Sequence, residues 1–280
     1  MNGKYVADKG DIYLSTYKGE LTHLGCSISK QVHRWLPTGS IIVSKGRGYN
    51  TLYFVDPNDC STQEKIRKFN VNKEKDNITF SPDGTKYFYF KKNKIYSQNK
   101  GRQVVLYKLY IADRKTNSTK LISDSKYDPK NPTWAPDSKK IVFDVKCQSY
   151  KNIRHIALYE DKEKDTKIYT GGEQYGNHGN ISNSNPYWSK NGRYLLYDSI
   201  QYLASNPYSK VVWDLHSNER WLKFSILYKR SRRDVGTSFK WIDNEHILLG
   251  TVSWLRIYNL KGEIVENLST TAYYLYINLN

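Results

Sequence analysis

Six histidines (His23, His33, His155, His178, His216, His246) are the side chains best suited to proton transfer or metal ligation near neutral pH. They are scattered, with no H-x-H or H-E-x-x-H spacing to hold a metal on one face. Of these, only His178, in "NHGN", sits in a Gly/Asn-rich stretch, where it reads as a solvated loop residue. Cys26, Cys60 and Cys147 lack ligand spacing, and their odd number excludes complete intramolecular pairing. They read as buried or idle thiols, the alternative being one disulfide with a free thiol left over. No G-x-S-x-G elbow occurs, and "GRGYN" and "TGGEQYG" are glycine-rich without P-loop context. No cofactor is expected. The chemistry on offer is electrostatic: 44 Lys and Arg against 27 Asp and Glu give a formal charge of +17. The densest stretches are "KKNKIYSQNKGR" and "YKRSRRD". Such a balance speaks of acidic partners rather than of fold.

The elements that must carry these stretches are legible as a repeat. An aromatic followed by a turn recurs in "HRWLPTGSIIVS", "NITFSPDGTKYFYF", "NPTWAPDSKKIVFDV", "NPYWSKNGRYLLYDS" and "SFKWIDNEHILLGT", with the aromatic at Trp35, Phe80, Trp134, Trp188 and Trp241. An apolar run follows each turn, then a second strand–turn–strand phrase such as "YKLYIADRKTNSTKLI". Each unit therefore reads as four short strands, A to D. Pro82 presets the first turn dihedral, Asp83 bonds nearby backbone, and Gly84 accepts positive φ. Asp83 and Asp137 are thus turn formers, not catalysts, and the aromatics are core. Four-stranded units repeating every 40–55 residues predict an all-β, six-bladed β-propeller.

Five blades are expected to be contiguous, starting near 33, 77, 131, 185 and 238. The sixth is stitched from residues 4–25 and the lone strand at 271–280, making one domain over 1–280. Closure removes exposed sheet edges. The Phe/Trp-Ser/Ala-Pro-Asp phrase, followed by Lys and an apolar run, resembles the repeat of TolB-like propellers, and is related to that of dipeptidyl-peptidase-type prolyl oligopeptidases. The resemblance extends over about residues 11–280; "LPTGS" and "IDNEH" depart from the pattern. It implies a monomeric bacterial protein-interaction platform that is periplasmic or otherwise extracytoplasmic, provided a leader has been removed. "MNGKYVADKGD" has no apolar leader core, which leaves a cytoplasmic alternative, and no stretch approaches a membrane span.

The strand assignment also sorts charge. D-to-A and B-to-C connections leave a propeller on one face, A-to-B and C-to-D turns on the other. Nearly the whole +17 excess falls in the first set, and the second is nearly neutral. The candidate binding residues on this basic, Tyr-rich face are Arg47, Tyr49, Lys91, Lys92, Lys94, Tyr96, Arg102, Lys146, Tyr150, Lys151, Arg154, Tyr208, Tyr228, Lys229, Arg230, Arg232 and Arg233. Tyr with Arg is favoured in protein hot spots, and Lys/Arg with aromatic rings suits nucleic acid. The expected function is non-enzymatic binding of an acidic protein partner, in an inhibitor- or immunity-type role. The alternatives are a polyanion (nucleic acid or acidic glycan) on the same face, or a metal-dependent enzyme acting on acidic polysaccharide in the central funnel.

Overall fold

The turn chemistry read from the repeat is realised atom by atom. The computed structural model describes residues 4–8, 11–15, 21–27, 31–35, 41–45, 51–56, 63–68, 78–97, 101–146, 153–161, 166–169, 181–201, 208–217, 220–224, 238–250 and 254–269. In the turn after Phe80, Gly84 N–H donates to Ser81 O at 2.9 Å, and Gly84 sits at φ +70°. Asp83 Oδ1 accepts from Thr85 N–H at 3.0 Å and from the Ser81 hydroxyl at 2.6 Å. Ser138 (φ +61°) and Gly192 (φ +71°) hold the equivalent left-handed position in the next two repeats. There Asp137 Oδ1 accepts from Lys139 N–H at 2.9 Å, and Asn191 Oδ1 from Arg193 N–H at 3.0 Å. In the fifth repeat Asp243 Oδ1 takes Glu245 N–H at 2.7 Å, in a turn one residue shorter. The side-chain oxygen fixes each hairpin by satisfying an N–H that no strand partner reaches.

The chain divides into two compact units, 1–122 and 123–280, with almost no helix. In the first unit β1 (Lys4–Asp8), β2 (Asp11–Ser15) and β3 (Leu21–Ser27) form a three-stranded antiparallel sheet in that order. β4 (Gln31–Trp35), β5 (Ile41–Lys45), β6 (Thr51–Val55) and β7 (Gln63–Lys68) form a four-stranded meander. β8 (Thr79–Phe80), β9 (Lys86–Ser97), β10 (Arg102–Asp113) and β11 (Thr119–Ser123) form a second. The second unit holds three more meanders. They are β12 (Lys130–Trp134) to β15 (Thr166–Tyr169) through β13 (Lys140–Lys146) and β14 (Arg154–Glu160); β16 (Ile181–Trp188) to β19 (Arg220–Phe224) through β17 (Tyr194–Gln201) and β18 (Tyr208–Asp214); and β20 (Ser238–Trp241) to β23 (Ile264–Ser269) through β21 (His246–Gly250) and β22 (Leu255–Asn259). All five four-stranded sheets start where the repeat places strand A. The strands β1 to β3 form a sheet of their own, and the strand expected at 271–280 to complete a stitched unit lies outside the described residues.

The strand-A aromatics wedge between neighbouring sheets. In the first unit Phe80 meets Phe54 of β6 edge-on at 5.2 Å, in a cluster with Tyr87, Tyr89 and Ala112. In the second, Trp188 packs with Val142, Ile156 and Leu158 of one sheet and Leu195 and Trp213 of its own. Its Nε1 donates to Thr133 O at 3.2 Å. Trp241 repeats the arrangement against Tyr194, Leu196 and Val212. Turn stacks against turn as well: Asn191 N–H donates to Asn244 Oδ1 at 2.9 Å, and a side chain on Gly192 would meet Pro136 Cδ at 3.4 Å.

One segment differs from the sequence reading. Residues 91–103 were expected as a loop, yet β9 and β10 pair continuously from Lys86↔Asp113 to Ser97↔Arg102. The reason lies in composition: Lys91, Lys92 and Lys94 interrupt the apolar alternation that marks a strand, while pairing with Val104–Lys108 sustains the ladder. Tyr208, also read as part of a connection, lies within β18, as does Lys210.

Candidate functional site

Of the candidate binding residues, Lys91, Lys92 and Lys94 stand exposed on β9 and Arg102 exposed at the start of β10. Among the described residues no carboxylate pairs with any of the four. Tyr96 and Tyr208 are placed by backbone alone, on β9 and β18. Lys146 is half-buried at the end of β13, opposite Arg154 in the register. Arg47, Tyr49, Tyr150, Lys151, Tyr228, Lys229, Arg230, Arg232 and Arg233 lie outside the described residues.

Arg154 is not a solvent-facing cation. Its Nε donates to Asp144 Oδ1, and its Nη2 to the carbonyls of Asp128 (2.5 Å) and Asp144 (3.1 Å). Its Nη1 lies 3.3 Å from Asp128 Oδ2. Lys210 is likewise internal, only 5% exposed, with Nζ on Asp198 Oδ1 and its ammonium 3.8 Å from the Phe239 ring centroid. Burial pulls the Lys210 ammonium below its usual range, and the Asp198 carboxylate pulls the other way. Arg154, counted in the sequence toward the basic face, is thus neutralised inside the fold, as is Lys210.

Sequence reasoning missed the network they belong to. Asn131 Nδ2 donates to Asp144 Oδ2 (2.7 Å) and to Asn185 Oδ1 (2.8 Å); Asn185 Nδ2 donates to Asp198 Oδ2 (2.8 Å). Asn185 N–H also reaches Asp144 Oδ2 at 3.3 Å. Both asparagines precede proline, both adopt left-handed backbone (φ +50° and +53°), and both sit where the ladder to the next strand shifts register. The signal was present as the repeated "NP" 54 residues apart, with an Asp 13 residues on. The network ties the inner strands of two neighbouring sheets together. Every carboxylate in it already faces a cation or amide, so it serves as scaffold and offers no free acid or base. Beside Lys210 a cavity of about 10 Å³, lined by Leu196, Ile247, Leu249 and Tyr258, holds one water at most. Among the described residues no three His, Cys, Asp or Glu side chains are placed to hold a metal, and no helix is long and apolar enough to cross a membrane.

A second scaffold pair makes stability pH-dependent. Asp214, 1% exposed, takes a bidentate clasp from Arg193 (2.7–3.2 Å) and the His216 N–H at 2.9 Å. The Arg193 hydrogen bonds hold its carboxyl below the usual range. A carboxyl whose folded pKa is depressed contributes stability above its unfolded value, near 3.8, and loses it as pH falls through the folded value. Asp214→Asn should therefore lower the melting temperature at pH 7, with the gap to the parent closing below about pH 4. A gap of equal size at pH 7 and pH 3 would contradict this.

Repeated four-stranded antiparallel sheets with aromatic wedges are the architecture of a β-propeller. No family model matches the chain, and no curated protein matches it. Solved structures do. An oligogalacturonate lyase from Vibrio parahaemolyticus superposes with a TM-score of 0.60 at 13% identity, covering 93% of this chain and 71% of that one. A eukaryotic initiation factor gives 0.55 at 11% identity, covering 96% and 63%. TolB from Acinetobacter baumannii gives 0.49 at 18%, covering 93% and 61%. The chain thus spans slightly under two thirds of the TolB and initiation-factor chains. At these identities the likeness establishes fold alone.

Proposed function

We propose that this chain is a six-bladed β-propeller over 1–280, its sixth blade completed by the strand at 271–280, that acts as a non-enzymatic platform binding an acidic protein through its basic end. One contrast carries the reading. Where a cation is structural, as at Arg154 or Lys210, a carboxylate meets it; Lys91, Lys92, Lys94 and Arg102 stand exposed with none among the described residues. Uncompensated like charge costs stability, so its concentration in one element favours a partner that supplies the counter-charge. The Arg- and Tyr-rich stretch 228–233 has the composition of a protein hot spot. Reversing Arg230, Arg232 and Arg233 to Glu should abolish capture of acidic proteins from native lysate at moderate salt; unchanged capture would refute the reading. The polyanion alternative is favoured by a separate observation, the Lys-dominated β9/β10 hairpin, since Lys is depleted in protein interfaces.

A further inference from the structure

The β9/β10 hairpin outgrows its sheet. Each strand has 12 residues, whereas β8 pairs only with Tyr87 and Phe88. On the other side β11 has five residues and follows a tight turn closed by Asp113 N–H to Ser118 O at 3.0 Å, so it cannot reach past the middle of β10. Among the described residues, 91–97 and 102–107 therefore form a two-stranded ribbon with no flanking strand. At about 3.4 Å per residue it extends roughly 20 Å beyond the sheet. From Lys86 to Ala112 the sequence holds seven cations and no Asp or Glu.

The register distributes those cations over both faces of the ribbon. Directly opposed residues share a face, and successive residues alternate. Lys92 and Lys94 lie on one face, with Tyr107 and Val105 as their cross-strand partners. Lys91 and Arg102 lie on the other. Like charge crowded onto one element costs stability, and both faces carry it. A flat anionic surface would relieve only one face. An occupant that relieves both must carry anions on two walls about one ribbon apart.

We propose that this ribbon inserts into the major groove of a nucleic acid duplex, its two cationic faces turned to the phosphate backbones on either side. The B-form groove is about 12 Å wide and admits a two-stranded β-ribbon. Three of these four cations are lysines, which meet phosphates as point charges, whereas a desolvated protein interface favours arginine. The inference rests on the reading that the basic end is the binding surface, and it assigns that end's projecting element a different class of ligand.

The test is fluorescence anisotropy of a labelled 24-base-pair DNA duplex with the full chain across a salt series. Two paired variants each neutralise one face: Lys92→Gln with Lys94→Gln, and Lys91→Gln with Arg102→Gln. Each should weaken binding at least tenfold at low salt and lower the salt slope by roughly 2, about 0.9 per lost phosphate contact. Replacing Lys91, Lys92 and Lys94 by Arg should retain binding, which separates charge from disturbance of the strand; melting temperatures confirm that each variant is folded. Loss from only one of the two faces would overturn groove insertion. So would absence of duplex binding, or competition by polygalacturonate or polyglutamate equal to that by unlabelled duplex, which would assign the ribbon to an acidic glycan or an acidic protein. The platform reading can survive each of these outcomes, because the 230–233 reversal probes it separately.

Discussion

Asp144→Ala should lower the melting temperature by on the order of 10 °C, although the residue touches no surface. Its side chain is fully buried and gathers Arg154 Nε, Asn131 Nδ2 (2.7 Å) and Asn185 N–H (3.3 Å). Removing it leaves the Arg154 guanidinium, 17% exposed, with the Asp128 carboxylate and two backbone carbonyls to face. Breaking a buried ion pair by deleting one partner costs about 3–5 kcal/mol, because the remaining charge stays desolvated. Each kcal/mol is worth roughly 2–4 °C in a domain of this size. Removing both charges should cost less than removing one: Asp144→Leu with Arg154→Met is expected to recover most of the loss. A single variant melting within about 2 °C of the parent, or a double variant no better than the single, would sink this account. The same variants separate roles among the candidate cations. Arg154→Met should leave duplex and protein binding intact, since its charge is spent inside the fold, whereas Lys92→Gln with Lys94→Gln should leave stability intact.

Why the sequence showed some of this and not the rest follows from what each signal needs. Ser81-Pro82-Asp83-Gly84 is legible because every interaction it makes is local: Asp83 bonds Thr85, Ser81 bonds Lys86, and four residue types are enough to specify the turn. The aromatics at 80, 188 and 241 are legible because burial between sheets tolerates only large rings, so the spacing survives where the turn residues drift. Arg154 was misread because its partners come from positions 128 and 144. In "KCQSYKNIR" nothing distinguishes it from a solvated loop cation, and only the β13–β14 register brings it beside Asp144. The ribbon was misread for the opposite reason. Its strands persist through lysines that satisfy no hydrophobic period, held by backbone pairing that no residue type announces. A rule follows for this repeat: an Asp on strand B that follows an Asn-Pro by about a dozen residues marks the next cation on strand C as internal.

Trp188→Ala is the substitution expected to damage the second unit most through packing alone. The indole is 9% exposed and lies between two sheets, against Val142, Ile156 and Leu158 on one side and Leu195, Val211 and Trp213 on the other. Truncating a buried Trp to Ala costs about 3–5 kcal/mol, the upper end applying where rigid neighbours cannot close the gap. Strands on both sides of this site are fixed by ladder bonds, so little collapse is available, and Thr133 O also loses its donor at 3.2 Å. Trp188→Phe provides the contrast. The repeat itself uses Phe at position 80, so the ring is acceptable at this place in a blade, and the loss should shrink to roughly 1–2 kcal/mol from the smaller ring and the missing N–H. The diagnostic measurement is hydrogen exchange. Because the indole joins two sheets, Trp188→Ala should lower protection in β13 and β14 as much as in β17 and β18, while β9 and β10 keep theirs. Loss confined to β16–β19 would show that Trp188 stabilises only its own sheet, and that the network through Asn131, Asn185 and Asp144 holds the two sheets together without it.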